Sequence, residues 1–325
     1  MNRWRQTAWS LALPMLLLML SVALVLGQVR SYSAAFVPLR SWAEIGTLAA
    51  LMTAVVLTGG IDLSVGSTMA LAGVVCGACW QRFDWPIGLA AAAALATGLA
   101  AGGCNGCLVV AGASPLVATL ATMAVYSGLA TAIASGQRFA NLPAKFCQLG
   151  QGSFLGLPTQ FWIMALVFIA TAAVVHHMRF GRYLFAIGDN RLAAQFAAVP
   201  VRRVEWKLYA AMGLIAALTS LIYAARGGAI VPELDRDIPL KAIACVVLGG
   251  TRVTGGAGGV WRTLLGVLVL AHLDIGLAFA SNKAIWLPWR DTPWRLTGES
   301  RQVAIGLLVI AVAVWNERAA LRRQA

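Results

Sequence analysis

TGGIDLSVGS, Thr58–Ser67, interrupts one of the most apolar parts of this chain. It sets an aspartate between a glycine pair and two serines, with hydrophobic, helix-like sequence on both sides. Gly59 and Gly60 permit backbone angles that end a helix. Asp62 or Ser64 can then accept hydrogen bonds from the exposed N–H groups of the helix that restarts beyond them. A break of this kind is tolerated at membrane depth only where protein or water satisfies the freed backbone groups, so lipid contact is excluded. An ionisable side chain placed there marks a pathway, a pair or a hinge. The competing reading is a helix cap at the inner membrane surface, reached by water. Cap or hinge is preferred over direct substrate contact.

Composition puts the segment in a membrane protein. The 325 residues are 60% hydrophobic and 11% charged, and a mean hydropathy of +0.78 excludes a domain with a solvated surface. At ~20 residues per crossing the chain has room for about ten spans and no separate soluble domain. The spans are read at about 11–29, 43–58, 62–80, 86–110, 116–135, 158–176, 207–228, 239–250, 257–280 and 302–316. The expected fold is thus an all-α polytopic membrane protein, one transmembrane domain over 1–325, with interrupted helices. Arg3 and Arg5 precede the apolar run Leu11–Leu26, which is read as a retained helix rather than a signal peptide. An even number of spans returns the C-terminus to the side of the N-terminus. Both termini and the basic loop at about 177–206 are therefore expected in the cytoplasm, although basic residues on the other side blur the charge rule. The net charge of +13 is scattered over short loops. It points to anionic lipid headgroups and a cytoplasmic partner, and not to nucleic acid. Trp4, Trp9, Trp42, Trp80, Trp85, Trp206 and Trp315 fall near span ends and are read as interfacial anchors.

Three further stretches carry information. AVVLTGG, Ala54–Gly60, is echoed by ACVVLGG, Ala244–Gly250, each an apolar run stopped by a glycine pair. Transport folds are often built from two such halves, but seven residues are few enough for coincidence. Gly188–Val201 is predicted as a short amphipathic helix capped by Asp189 or Asn190, with Leu192, Ala193, Phe196 and Val199 at helical spacing and Pro200 following. Its apolar face with a basic rim suits either a groove on another protein or the headgroup layer. Asp274, inside an apolar span, is read as pairing across helices in preference to lining a pathway.

At this point GGIDLSVGSTMALAG, Gly59–Gly73, resembles the signature of the permease subunits of bacterial ABC importers for ribose, xylose, rhamnose and autoinducer-type sugars. Asn105–Ala130, the loop Gly181–Val201 and the glycine-rich turn Val246–Gly266 resemble further segments of that family, in order. The connection Ser281–Gln302, with Trp286, Trp289 and Trp294, is longer than the family leads one to expect. The resemblance implies an inner-membrane subunit that pairs with a second permease, two ATPase domains and a periplasmic sugar-binding protein. It also implies that Gly188, Asp189, Asn190, Ala193, Ala194, Phe196 and Val199 engage the ATPase, with Phe196 as anchor.

No G-x-x-x-x-G-K-[ST] phosphate loop occurs in the chain, so a nucleotide site is expected on a partner. A sugar route needs small polar linings. The candidates, with Gly59, Gly60, Asp62 and Asp274, are Ser64, Ser67, Asn105, Thr119, Thr122 and Tyr126, although such hydroxyls more often bond their own backbone. Cys76, Cys79, Cys104 and Cys107 form two C-x-x-C pairs that the span assignment puts ~25–30 Å apart, too far to share one ion. Neither metal, cofactor nor catalytic residue is expected. The alternative function is a self-sufficient ion-coupled transporter, for which Asp62 and Asp274 are a thin supply of intramembrane carboxylates. An intramembrane enzyme lacks a paired nucleophile and base.

Overall fold

The computed structural model describes residues 32–281, apart from 235 and 236, together with 302, 303, 305–307, 310 and 311. The expected span 11–29, the connection 282–301 and most of the span 302–316 lie outside the described residues.

Among the described residues, six helices are long and apolar enough to cross a membrane. In chain order they are α1 (Tyr32–Leu57), α3 (Ile87–Val110), α4 (Pro115–Ala134), α6 (Thr159–His177), α9 (Val201–Gly227) and α11 (Val260–Ser281). Two shorter apolar helices accompany them, α2 (Val65–Gln81) and α10 (Ile238–Leu248). One expectation changes in length. The predicted span 43–58 is the second part of a 26-residue helix. The predicted span 239–250 is matched by α10, helical for 11 residues, a rise of about 16 Å that crosses part of a ~30 Å hydrocarbon layer.

α1 and α9 form the centre: 83% and 72% of their most apolar windows are buried, against 33% and 28% for α3 and α4, whose outer faces this chain leaves uncovered. The crossing of α3 with α9 is closest where Gly98, Gly102 and Gly106 recur every fourth residue against Gly213, Ala217 and Trp206. A methyl group on Gly102 would overlap the backbone of Tyr209 and Gly213. Small residues at this spacing let two helices touch backbone to backbone, which is what drives association where no water remains to be expelled. Ser220 adds a buried bond from α9 to α2, its hydroxyl donating to the Met69 carbonyl at 2.6 Å.

Between α4 and α6 the chain forms α5 (Ala144–Gln151) and a hairpin of β1 (Ser153–Phe154) and β2 (Leu157–Pro158). Leu155 and Gly156, both at positive φ, make its tight turn. Neither element was legible in the sequence. The loop after α6 holds two helices, α7 (Arg179–Asp189) and α8 (Arg191–Phe196), where the sequence suggested one over Gly188–Val201. Gly188 and Asp189 close α7. Asn190 is the cap of α8, its Oδ1 accepting the Ala193 N–H at 2.9 Å.

Candidate functional site

The two glycine pairs end their helices in the same way. After α1, Gly59 takes φ +77°, with bonds from Gly59 N–H to Val56 O at 2.9 Å and from Gly60 N–H to Val55 O at 3.2 Å. After α10, Gly250 takes φ +79°, with bonds from Gly250 N–H to Val247 O at 2.9 Å and from Thr251 N–H to Val246 O at 3.2 Å. This paired closure, with a left-handed residue that glycine accepts without strain, satisfies the last carbonyls of each helix. The echo in sequence is therefore an echo in structure. The interrupted helices also meet: Gly256 N–H donates to Leu57 O at 3.0 Å, and the hydroxyls of Thr53 on α1 and Thr263 on α11 lie 2.7 Å apart.

From Gly60 to Ser64 the backbone is not helical, and side chains meet its polar groups, from another helix at Ile61 and Leu63 and from within the segment at Ser64. Thr119 on α4 spans the break, its Oγ1 at 3.3 Å from both the Ile61 carbonyl and the Leu63 N–H. Asp62 is 1% exposed. Its Oδ1 accepts the Ser64 N–H at 2.9 Å and the Ser64 hydroxyl at 2.7 Å. Ser64 Oγ accepts Asn105 Nδ2 at 2.7 Å. The Tyr126 hydroxyl lies 2.8 Å from Ala101 O and 3.2 Å from Asn105 Oδ1. The result is a chain of donors from α3 through Ser64 to a buried carboxylate, each bond polarising the next. Asp62 closes a local turn before α2 and bonds no N–H inside it. A water-exposed cap is thereby corrected: protein buries the carboxylate on every side.

Of the residues expected to line a route, Asp62, Ser64, Asn105, Thr119 and Tyr126 come together here, with Gly59 and Gly60 beside them. Ser67 and Thr122 are buried but bond the backbone of their own segments, to Ser64 O at 2.8 Å and Ala118 O at 3.1 Å. Tyr209 was missed. Its hydroxyl is buried over Gly60 and has no hydrogen-bond partner among the described residues. A tyrosine in an apolar helix gives no periodic signal of what its hydroxyl faces.

Asp274 sits elsewhere, accepting Trp42 Nε1 at 3.1 Å. The two help to line a cavity of about 180 Å³ whose walls include Glu44, Tyr223, Arg226 and Lys241. Trp42 is 3% exposed, so it is a cross-helix donor and not the interfacial anchor expected of it. Glu44 and Arg226 form a two-bond ion pair, at 2.7 and 3.1 Å, with the guanidinium over the Tyr223 ring. Glu44 could have been found, as the one charged side chain from Ala43 to Leu57.

At the α7–α8 end, Leu192 and Phe196 are 66% and 91% exposed, while Ala194 is buried beneath them. Arg191 pairs with Glu205 of α9 at 2.8 Å. α8 is thus held from behind by its cap, its buried alanine and an ion pair, and presents two large apolar side chains outward.

Long apolar helices, two shorter ones joined to them through matching glycine breaks, and a rigid amphipathic segment projecting from one end define a polytopic membrane protein of the transport type. Residues 35–313 match the family described as "branched-chain amino acid transport system / permease component", and the chain belongs to that family. It is similar to the ribose import permease protein RbsC of Escherichia coli strain K12, with 39% identity over 231 residues, 70% of this chain and 72% of that one. With RbsC of Bacillus subtilis strain 168 it is 40% identical over 243 residues, 74% and 75% of the two chains. It is also similar to the autoinducer 2 import system permease protein LsrD of Enterobacter sp. strain 638, with 35% identity over 240 residues, 72% and 73% of the two chains.

Proposed function

We propose that this chain is the membrane subunit of an ATP-binding-cassette importer in a bacterial inner membrane, and that it translocates a monosaccharide or a related small polyol. Relatives named for ribose and autoinducer 2 import supply the substrate class. The α7–α8 end faces the cytoplasm, where an ATPase subunit docks, and a periplasmic binding protein delivers the sugar at the opposite end to a pair of such permeases.

One observation carries the reading: an apolar knob, Leu192 and Phe196, stands exposed on a helix that is fixed from behind. An exposed phenylalanine on a rigid, basic-rimmed support is what a groove in a partner protein would bury, and such aromatic anchors supply about 2–4 kcal/mol of an interface. The cavity bounded by Trp42, Tyr223, Glu44 and Asp274 supports a route on the periplasmic side, because aromatic walls with carboxylates wet a polyol without an apolar seal. Co-purification with the cognate ATPase tests the docking. Phe196→Asp is expected to abolish capture of the ATPase while membrane insertion and yield stay at wild-type level; unchanged capture would overturn the role given to α8.

A further inference from the structure

Three chain segments meet behind the docking helix, and they meet through glycines. Gly188 is the penultimate residue of α7, two residues before the cap of α8. A Cβ on Gly188 would run into the Leu57 carbonyl and the Gly256 nitrogen. One on Gly255 would lie 2.7 Å from Gly59 N, 2.9 Å from Gly188 Cα and 3.0 Å from Leu57 O. One on Gly256 would lie 3.1 Å from both Asp189 Cα and Asp189 N, and one on Gly59 3.1 Å from Thr254 O. By contrast a Cβ on Gly88, Gly112, Gly128 or Gly136 would meet nothing within 4 Å. Gly256 N–H bonds Leu57 O at 3.0 Å, so the contact is pinned as well as tight.

We infer that this glycine junction is where movement of the docked segment reaches both interrupted helices at once, and that Gly188 is a positioning residue for transport. The inference rests on the docking reading above. Backbone packed on backbone has no rotamers that could absorb a displacement, and close-packed contacts shift as units rather than deform. A push on α8 moves Gly188 and Asp189 directly. They bear on Leu57, where α1 ends, and on Gly256, in the turn between α10 and α11. The same contact would fix the relative timing of the two breaks, which separate side-chain links would not.

Gly188→Ala is a clean probe because alanine favours the helix that Gly188 closes, so a loss of function is assigned to the junction and not to α7. Purified complexes in proteoliposomes are compared for ATPase capture, for ATP hydrolysis stimulated by loaded binding protein, and for sugar uptake. Gly188→Ala is expected to lose stimulation and uptake per captured ATPase at least tenfold, whereas Gly128→Ala loses neither. Wild-type uptake by Gly188→Ala would overturn the relay alone; failure of the unaltered chain to capture any ATPase would overturn the docking reading instead. Should Gly188→Ala not insert, the pair Asp189→Cys and Gly256→Cys tests the same point. Segments that travel together keep transporting after oxidation joins them, within about twofold of the reduced state. Uptake that stops on oxidation and returns with reductant would show that they separate, and the relay would be wrong.

Discussion

Replacing Asp62 by asparagine and by alanine separates two reasons for burying a carboxylate in a helix break. Asp62 has no basic partner among the described residues, and its oxygen serves two donors on Ser64. Alanine leaves the buried Ser64 N–H without an acceptor, a cost of about 1–3 kcal/mol, and removes the bond from the Ser64 hydroxyl, worth about 0.5–1.5 kcal/mol. Loss of the carboxylate's own desolvation cost offsets part of this. Asparagine keeps an oxygen in place and sheds the charge, so it is expected within about 1 kcal/mol of wild type. The gap between the two variants, about 1–4 kcal/mol, is the measurable quantity. At roughly 2 °C per kcal/mol it amounts to about 2–8 °C in the apparent Tm of the detergent-solubilised protein. Uptake with the ATPase partner should survive in Asp62→Asn and fall in Asp62→Ala. If asparagine were as damaging to uptake as alanine while leaving Tm unchanged, the charge itself would be required, as in an ion-coupled carrier. The structural account of Asp62 would then fail.

Other outcomes follow from packing. Gly102→Leu places a side chain where α3 touches the α9 backbone; it should prevent stable insertion, read as loss of the monodisperse peak in size-exclusion chromatography. Glu44→Ala strips the ion-pair partner from Arg226, whose side chain is 30% exposed. The loss should therefore be about 2–3 kcal/mol, below the 3–5 kcal/mol of a fully buried pair. Adding Arg226→Leu should recover part of the lost Tm, and a double variant no more stable than Glu44→Ala would contradict the pairing.

The sequence alone determined that the chain is an all-helical membrane protein, that it breaks at Thr58–Ser64 and again at Gly249–Gly250, and that a polar segment near 177–206 carries an amphipathic helix. These readings rest on local chemistry: the length of apolar runs, the left-handed freedom of glycine, and spacing along one helix face. Tertiary structure decided the rest. Asn105 reaches Ser64 from another helix, Glu44 meets Arg226 across 182 positions, and Trp42 turns inward to Asp274. Gly188 looked like the start of a docking helix and is instead at the end of the preceding one, pressed against two distant breaks. Periodicity records which face of a helix is buried but not which remote backbone buries it. A glycine reads the same in sequence whether it serves a turn or a close approach, so only the folded chain separates the two.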